Sequence, residues 1–438
     1  MKTDEGLQYF LSNETITDHE YAELVKHYFQ ADKTDWYQQN GTEKQWDELK
    51  VKQFWHLIRK HHMHFCKKRK VYYFRKFVFP AFETTTNPYN YDDIILNGDF
   101  WEEDKERVFC YGVDFQGAIF LSNVMLSEII FQKYVNLSHT IFSEEAHFKM
   151  CVFTQDVLME RASFKANVNF ASSQFKGQFL AYESEFLQNV FFRGAKFEDL
   201  LDIDNVLFSH VALFQRAEFN KTIVRNLMNK PELDFRNAVL PASLIFRRVN
   251  LTNTIFTQSD VAEVQFKECD WGEASRIVLR DEQQEDKTIG HYAGLEEIYR
   301  QLKKNFDGNK DWELSGKAYV SEMEMRKKRL WKQGDYFHWL IYAFYDVFGG
   351  YTQNLKKPIF WLFRLIVVFS CIYYPIDQSV QWAIQRGIYG ALPKLITIDI
   401  PEELQFSGYW LIALNIETIL GSTFLVFFIL ALRKRFKQ

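Results

Sequence analysis

The densest set of side chains with metal-ligating chemistry lies near the N-terminus, where His56, His61, His62, His64 and Cys66 precede the basic run Lys67-Lys68-Arg69-Lys70. His61 and His64, three residues apart, fall on one face of a helix, and Cys66 adds a soft ligand to that face. No second cysteine or matched histidine pair follows at zinc-site spacing, and the adjoining Lys and Arg oppose a cation. The cluster therefore predicts a basic surface helix, with no metal. Five cysteines (Cys66, Cys110, Cys151, Cys269, Cys371) form no CxxC pair, which fits reduced thiols in a cytoplasm-facing protein.

Nucleophile and phosphate chemistry find no motif. There is no GxxxxGK[ST], GxSxG, HExxH or EF-hand loop, so no catalytic residue and no cofactor is predicted, and the expectation is a protein that is not an enzyme. Acidic pairs such as Glu144-Glu145 and Asp202–Asp204 are expected on an outer, solvated face. Net charge is −4 from 53 basic and 57 acidic residues, which gives no global field for nucleic acid.

The remaining chemistry-bearing residues sit inside apolar runs. Arg364 interrupts Ile359–Tyr374, and Asn415, Glu417 and Gly421 lie within Trp410–Leu432. Arg364 is seven residues past Lys357, about 10 Å along a helix, and can snorkel back; Glu417 is about 24 Å from Arg433. Their depths argue against a direct ion pair. Charge buried in a bilayer is costly and often functional, so Arg364, Asn415, Glu417 and Gly421 are the candidate membrane or pore residues.

Lys356-Lys357 flanks the first run and Arg433-Lys434-Arg435 the second. Both flanks predict cytoplasmic ends, hence two spans (358–376 and 410–432) with the 377–409 segment on the far side or re-entering the bilayer. Tyr336–Phe348, with seven aromatics, predicts a helix in the interface. Before it, residues 290–333 read as a helical hairpin that links to the membrane and caps the preceding domain. Its basic run Arg326-Lys327-Lys328-Arg329 is expected either to touch anionic headgroups or to be a solvated helix end.

The largest part of the chain carries a different signal. The 43 phenylalanines among 438 residues include an eleven-residue series, Phe109, Phe120, Phe131, Phe142, Phe153, Phe164, Phe175, Phe186, Phe197, Phe208 and Phe219. A second series (Phe115, Leu126, Leu137, Phe148, Met159, Phe170, Ala181, Phe192, Ile203, Phe214) interleaves at alternating steps of six and five. Small residues stand two before many of them, as at Ala118, Thr140, Cys151, Ala162, Ser173 and Ala195. This period matches neither a helix nor a strand. It fits a square coil with one large and one small inward residue per side, about 22 residues per turn, giving roughly seven coils. Ala181 breaks the large series, with Phe179 and Tyr182 available to compensate. The stretch 220–234 interrupts it and reads as a loop thrown out from one face. Val71–Phe79 supplies a first rung or an N-terminal lid.

The stretches Gly117-Ala118-Ile119-Phe120 and Gly194-Ala195-Lys196-Phe197 resemble the pentapeptide-repeat motif, a central Phe or Leu preceded by Ala at minus two. The resemblance covers 109–271 and implies a mainly β fold, a right-handed quadrilateral β-helix. It is accompanied by an N-terminal helical cap (1–108), the helical linker (290–333) and two C-terminal transmembrane helices within 336–438. Asn415–Gly421 followed by Phe424–Arg433 is similar to the inner helix of two-span ion channels, although Leu395-Ile396-Thr397-Ile398-Asp399 stands where a potassium filter would. Bacterial pentapeptide-repeat proteins with such a tail imply a scaffold in the inner membrane, both termini and the coil cytoplasmic. The implied role is to bind an unknown protein partner and couple it to a homo-oligomeric pore. The alternative is an acidic rod that mimics nucleic acid before a DNA-binding enzyme. Residues 109–271 hold 19 acidic and 15 basic side chains, which is too mixed for a strong mimic, and direct nucleic-acid binding is not expected.

Overall fold

The structure, a computed structural model, describes residues 4–41, 43–81, 108–283, 287–377, 379–392 and 408–436; the segment Leu395–Asp399 lies outside them. The chain divides into two compact units, 1–273 with 278–284, and 274–277 with 285–438.

The first unit is a parallel β-solenoid of about seven turns. Its strands are mostly two to four residues long, and each pairs with the strand one turn later. Val135 pairs with Val157, Ile141 with Ser163, Ala146 with Val168 and Val152 with Gln174, so one turn is four sides and 22 residues. Eleven residues are half a turn. The phenylalanine series therefore splits into two ladders on opposite sides, one holding Phe109, Phe131, Phe153, Phe175, Phe197 and Phe219, the other Phe120, Phe142, Phe164, Phe186 and Phe208. Successive rings stack at 4.6–5.4 Å with planes within 11°. That separation is close to the spacing between paired strands, so each ladder stacks one flat ring per coil. Phe148, Phe170, Phe192, Phe214 and Phe235 form a third ladder.

The corners explain the alternation of five and six. Gly117, Glu128, His139, Met150, Arg161, Ser172, Glu183, Gly194, Asn205 and Arg216 recur every eleven residues with φ between 50° and 69°. At Gly117, His139, Ser172, Gly194 and Arg216 the following amide donates to the carbonyl three residues back, as Ala118 N does to Phe115 O at 2.8 Å. This tight left-handed turn makes the five-residue step. The residue after the turn is buried and small at Ala118, Thr140, Cys151, Ala162, Ser173, Ala195 and Ala217. Where that residue is serine, its hydroxyl joins two coils: Ser173 Oγ donates to Phe148 O at 2.6 Å and accepts from Cys151 N at 3.0 Å.

Three expectations change. Residues 220–234 are not an expelled loop: Glu218–Arg225 pairs with Lys196–Asp204, Glu232–Asp234 pairs with Val211–Leu213, and Met228 bridges Leu207. Phe214 to Phe235 is one turn of 21 residues, which leaves none to spare; only the large residue type is lost, with Thr222 and Val224 turned inward. At Ala181 the space is filled by Phe179 alone, since Tyr182 points outward and donates to Asp202 at 3.1 Å. Asp202 itself is buried and paired with Arg225 at 3.0 Å, so solvent does not account for it.

Val71–Tyr73 and Val78–Phe79 form the first rung, with Phe74 stacked on Phe115 and Phe79 on Phe120. Above it lie α1 (Asp4–Ser12), α2 (Asp18–Leu24), α3 (Glu48–Leu57) and α4 (Met63–Arg69), with a hairpin of Tyr37–Asn40 and Glu43–Trp46. Phe29 covers Phe77 at 4.9 Å, which closes the apolar end of the coil. The histidine cluster is largely inside this lid. His62 is fully buried, 2.8 Å from the Tyr21 hydroxyl through Nδ1 and 3.2 Å from Cys66 Sγ through Nε2, and His61 Nε2 lies 2.8 Å from Phe10 O. The predicted basic surface helix is thus confined to its exposed edge, His56, His64 and residues 67–70. A π-helical turn at Ile58–His62 supplies the reason: its extra residue rotates the histidines toward the core. Among the described residues no group of three or more His, Cys, Asp or Glu is arranged for a metal. At the other end, the Asp281 carboxylate accepts from Phe256 N at 3.0 Å and Thr257 N at 2.8 Å, capping amides of the last coil.

The second unit is helical: α5 (Ile289–Gly308), α6 (Trp312–Gln333), α7 (Tyr336–Gly349), α8 (Lys356–Asp377), α9 (Val380–Ala391) and α10 (Trp410–Phe436). Three residues of the α6 basic run are consumed internally, against both the headgroup and the solvated-end expectations. Arg326 and Arg329 pair with the buried Glu296 of α5, and Lys327 reaches Glu324 and Asp346 at 2.8 and 2.7 Å. Arg326 also donates to the Tyr342 hydroxyl, so α7 is clamped along one face while Phe337, Leu340, Ile341, Phe344 and Val347 stay exposed on the other. One polar, anchored face and one bare apolar face are the properties of an interfacial helix.

Candidate membrane site

α8 and α10 are long and apolar enough to cross a membrane. Their most apolar windows have mean hydropathy 1.9, and only 22% and 17% of those windows is buried within the protein. Phe360, Phe363 and Val367 on α8, and Ile412, Ile416, Ile419 and Val426 on α10, are exposed. The segment between them contributes α9, which packs against both.

α9 owes that position to a narrow stripe. Ala383, Gly387, Gly390 and Ala391 recur on one helical face and are buried, whereas Val380, Trp382, Ile384 and Ile388 are exposed. A Cβ at Gly387 would lie 2.5 Å from Ser370 Oγ on α8, and one at Gly421 of α10 would lie 2.0 Å from Ala391 O. Small residues permit this backbone approach, the usual basis of helix contact in lipid. Leu365, Phe369, Tyr373, Ala391 and Phe424 form the apolar centre.

Glu417 stands in that centre. It is fully buried, its Oε2 accepts from the Tyr373 hydroxyl at 2.8 Å, and its Oε1 has no hydrogen-bond partner. The carboxyl lies against Gly390, where a Cβ would meet Oε2 at 2.0 Å. The next residue, Thr418, donates to Gly390 O at 3.1 Å. Three helices therefore converge on one acid.

Of the sequence-predicted residues, Glu417 and Gly421 join this contact. Arg364 does not: it is exposed, with its guanidinium 5.3 Å from the Trp361 ring. Asn415 is exposed as well, and no ion pair links Arg364 with Glu417. Sequence reasoning missed Tyr373, Gly390 and Arg386, the last buried on the inner face of α9. The Ala383, Gly387, Gly390, Ala391 spacing was the available signal. Between α8 and α9 an apolar cleft of about 610 Å³ opens beside Phe363, Val367, Cys371 and Ile384.

Comparison with protein-family models, with curated proteins and with solved structures returns no match for this chain.

Proposed function

We propose that the chain is a membrane-anchored scaffold of the pentapeptide-repeat kind, whose β-solenoid presents partner-binding faces on the cytoplasmic side of a bacterial inner membrane. The observation that carries the reading is the bare apolar surface of α8 and α10 in the same chain as a stiff coil of stacked rings. In water such a surface would drive association, and a bilayer covers it. Lys356 and Lys357 at the start of α8 and Arg433 near the end of α10 support a cytoplasmic location for both ends. A solenoid with continuous ladders of stacked rings suits rigid presentation of a protein partner. α9 between the spans supports a channel-like tail, and enclosing a pore with it takes several copies.

The outer charges favour this reading over a nucleic-acid mimic. Arg161 pairs with Glu183, Lys196 with Glu218 and Arg248 with Glu268, so opposite signs alternate from coil to coil instead of forming an acidic stripe. Membrane fractionation with an alkaline wash tests the anchor; recovery in the soluble fraction overturns it. Mass measurement in detergent and a liposome flux assay test the pore, which a monomer without conductance removes. Inhibition of a DNA-topology enzyme by the full chain would favour the mimic instead.

A further inference from the structure

We propose that Glu417 and Tyr373 form an intramembrane proton-binding site, its single ligand a proton held between α8, α9 and α10. The proposal rests on the reading of α8 and α10 as membrane spans and is independent of any pore.

The two carboxyl oxygens of Glu417 are unlike. Oε2 accepts from the Tyr373 hydroxyl at 2.8 Å, while Oε1 is buried with no partner. An ionised carboxylate accepts at about four lone-pair positions, and burying one without paired donors is strongly unfavourable. One neutral phenol does not offset that. Among the described residues the groups facing the carboxyl are few. α8 presents the Tyr373 hydroxyl, and α10 presents Thr418, whose hydroxyl is already given to Gly390 O. α9 presents the Gly390 backbone and Arg386, which lies within electrostatic reach of Tyr373. Among the described residues no Lys, Arg or His donates to Oε1. Adding one proton converts the carboxylate to a carboxylic acid with no other bond made or broken, and the buried charge disappears.

The contact with Gly390 makes the proton consequential. The carboxyl touches the α9 backbone so closely that no side chain fits between them. Loss of the proton places a charge directly against the Gly390 backbone, which favours parting of α9 from α10. Proton binding is thereby linked to closure of the three-helix contact.

The test is carbodiimide labelling of the full chain in detergent and in liposomes, followed by peptide mass mapping. A lipid-soluble carbodiimide takes the acid proton on nitrogen while the carboxyl oxygen adds to its central carbon, then rearranges to a stable N-acylurea. The expected result is an adduct on Glu417 that falls about tenfold per pH unit above its titration midpoint. It is absent in Glu417→Gln, and the water-soluble reagent leaves Glu417 unmodified. Tyr373→Phe is expected to keep the adduct and shift the pH at which it falls; an unshifted curve removes Tyr373 from the site. No adduct on Glu417 at any pH, a pH-independent adduct, or ready labelling by the water-soluble reagent would overturn the proposal. Recovery of the protein in the soluble fraction overturns the membrane reading, whereas an unlabelled Glu417 in membrane-embedded protein overturns the proton site alone.

Discussion

Phe179 meets Phe175 edge-on, ring centroids 4.9 Å apart and planes at 80°, in the space that Ala181 leaves open. The preceding coils put Val113, Val135 and Val157 at the Phe179 position, and the next puts Leu201 there; Ala181 lies between Met159 and Ile203. The two sites have exchanged size. Phe179→Val is therefore expected to open a cavity and cost about 2–4 kcal/mol. Combined with Ala181→Phe it should recover most of that loss, a coupling that thermal unfolding of the single and double variants in detergent will read.

What the sequence made legible, and what it hid, follows from where each constraint is written. The ladders are legible because one spatial requirement, a flat ring on each of two opposite sides, is repeated at fixed chain distance, so Phe109 to Phe219 announce it without knowledge of any contact. The left-handed corners are half hidden: Gly117 and Gly194 mark them, but Glu128, Met150 and Arg161 occupy the same conformation with ordinary side chains. His62 was hidden by its neighbours, since a basic run follows it and a π turn shifts the helical phase that would have placed it. Tyr373 and Gly390 could not be linked to Glu417 by any period, because three helices meet there once.

The corner conformation makes its own prediction. Non-glycine residues with φ near 57° carry steric strain between Cβ and the backbone. Met150, at φ 57° and largely exposed, is expected to gain up to about 1 kcal/mol on change to Gly. Gly194→Ala should lose about 1–2 kcal/mol, from the backbone alone, since the nearest side-chain atom is 3.7 Å from the added carbon. Opposite shifts in unfolding temperature at these two equivalent corners check the argument.

Acid should loosen the N-terminal lid. Burial among Phe29, Phe74 and Phe77, with a smaller contribution from Arg69, holds the His62 imidazole down at about 3, against 6.5 unfolded. Its folded value is depressed, so the unfolded chain binds the extra proton between those limits. Stability is present in full above about pH 6.5 and falls as pH drops toward 3, by about 1.4 kcal/mol per pH unit. His62→Gln should be less stable at neutral pH and show a flatter slope across this window. Limited proteolysis of residues 4–69 against pH measures both.

Glu296 is expected to be the most sensitive charged residue of the second unit. It is 5% exposed and pairs with Arg300, Arg326 and Arg329, each at 2.8–2.9 Å. Removing it with Glu296→Ala leaves three guanidinium groups facing one another with only the neighbouring acids to answer them. The expected loss is about 3 kcal/mol, below the upper range for buried pairs because the arginines keep some solvent. The same interaction predicts that neutralising Arg326 weakens the α5–α6 hairpin without lowering affinity for anionic vesicles. Thermal unfolding and vesicle flotation, measured together, separate the two roles.

The glycines of the second unit divide by what a methyl group would meet. Gly421 faces the Ala391 backbone, where an added Cβ would lie 2.0 Å from the carbonyl oxygen and 2.8 Å from its carbon. Backbone cannot rotate aside as a side chain can, so Gly421→Ala must push α9 from α10 and is expected to cost about 2–3 kcal/mol in the tail. Gly294, inside α5, has nothing within 4 Å of the same added atom. There the helix loses a flexible residue and gains a good helix former, so Gly294→Ala should stabilise by up to about 1 kcal/mol. Because α9 also covers Glu417, Gly421→Ala should expose that carboxyl to a water-soluble carbodiimide while Gly294→Ala leaves it protected. If both variants protect Glu417 equally, the close approach of Gly421 to Ala391 is not what seals the acid.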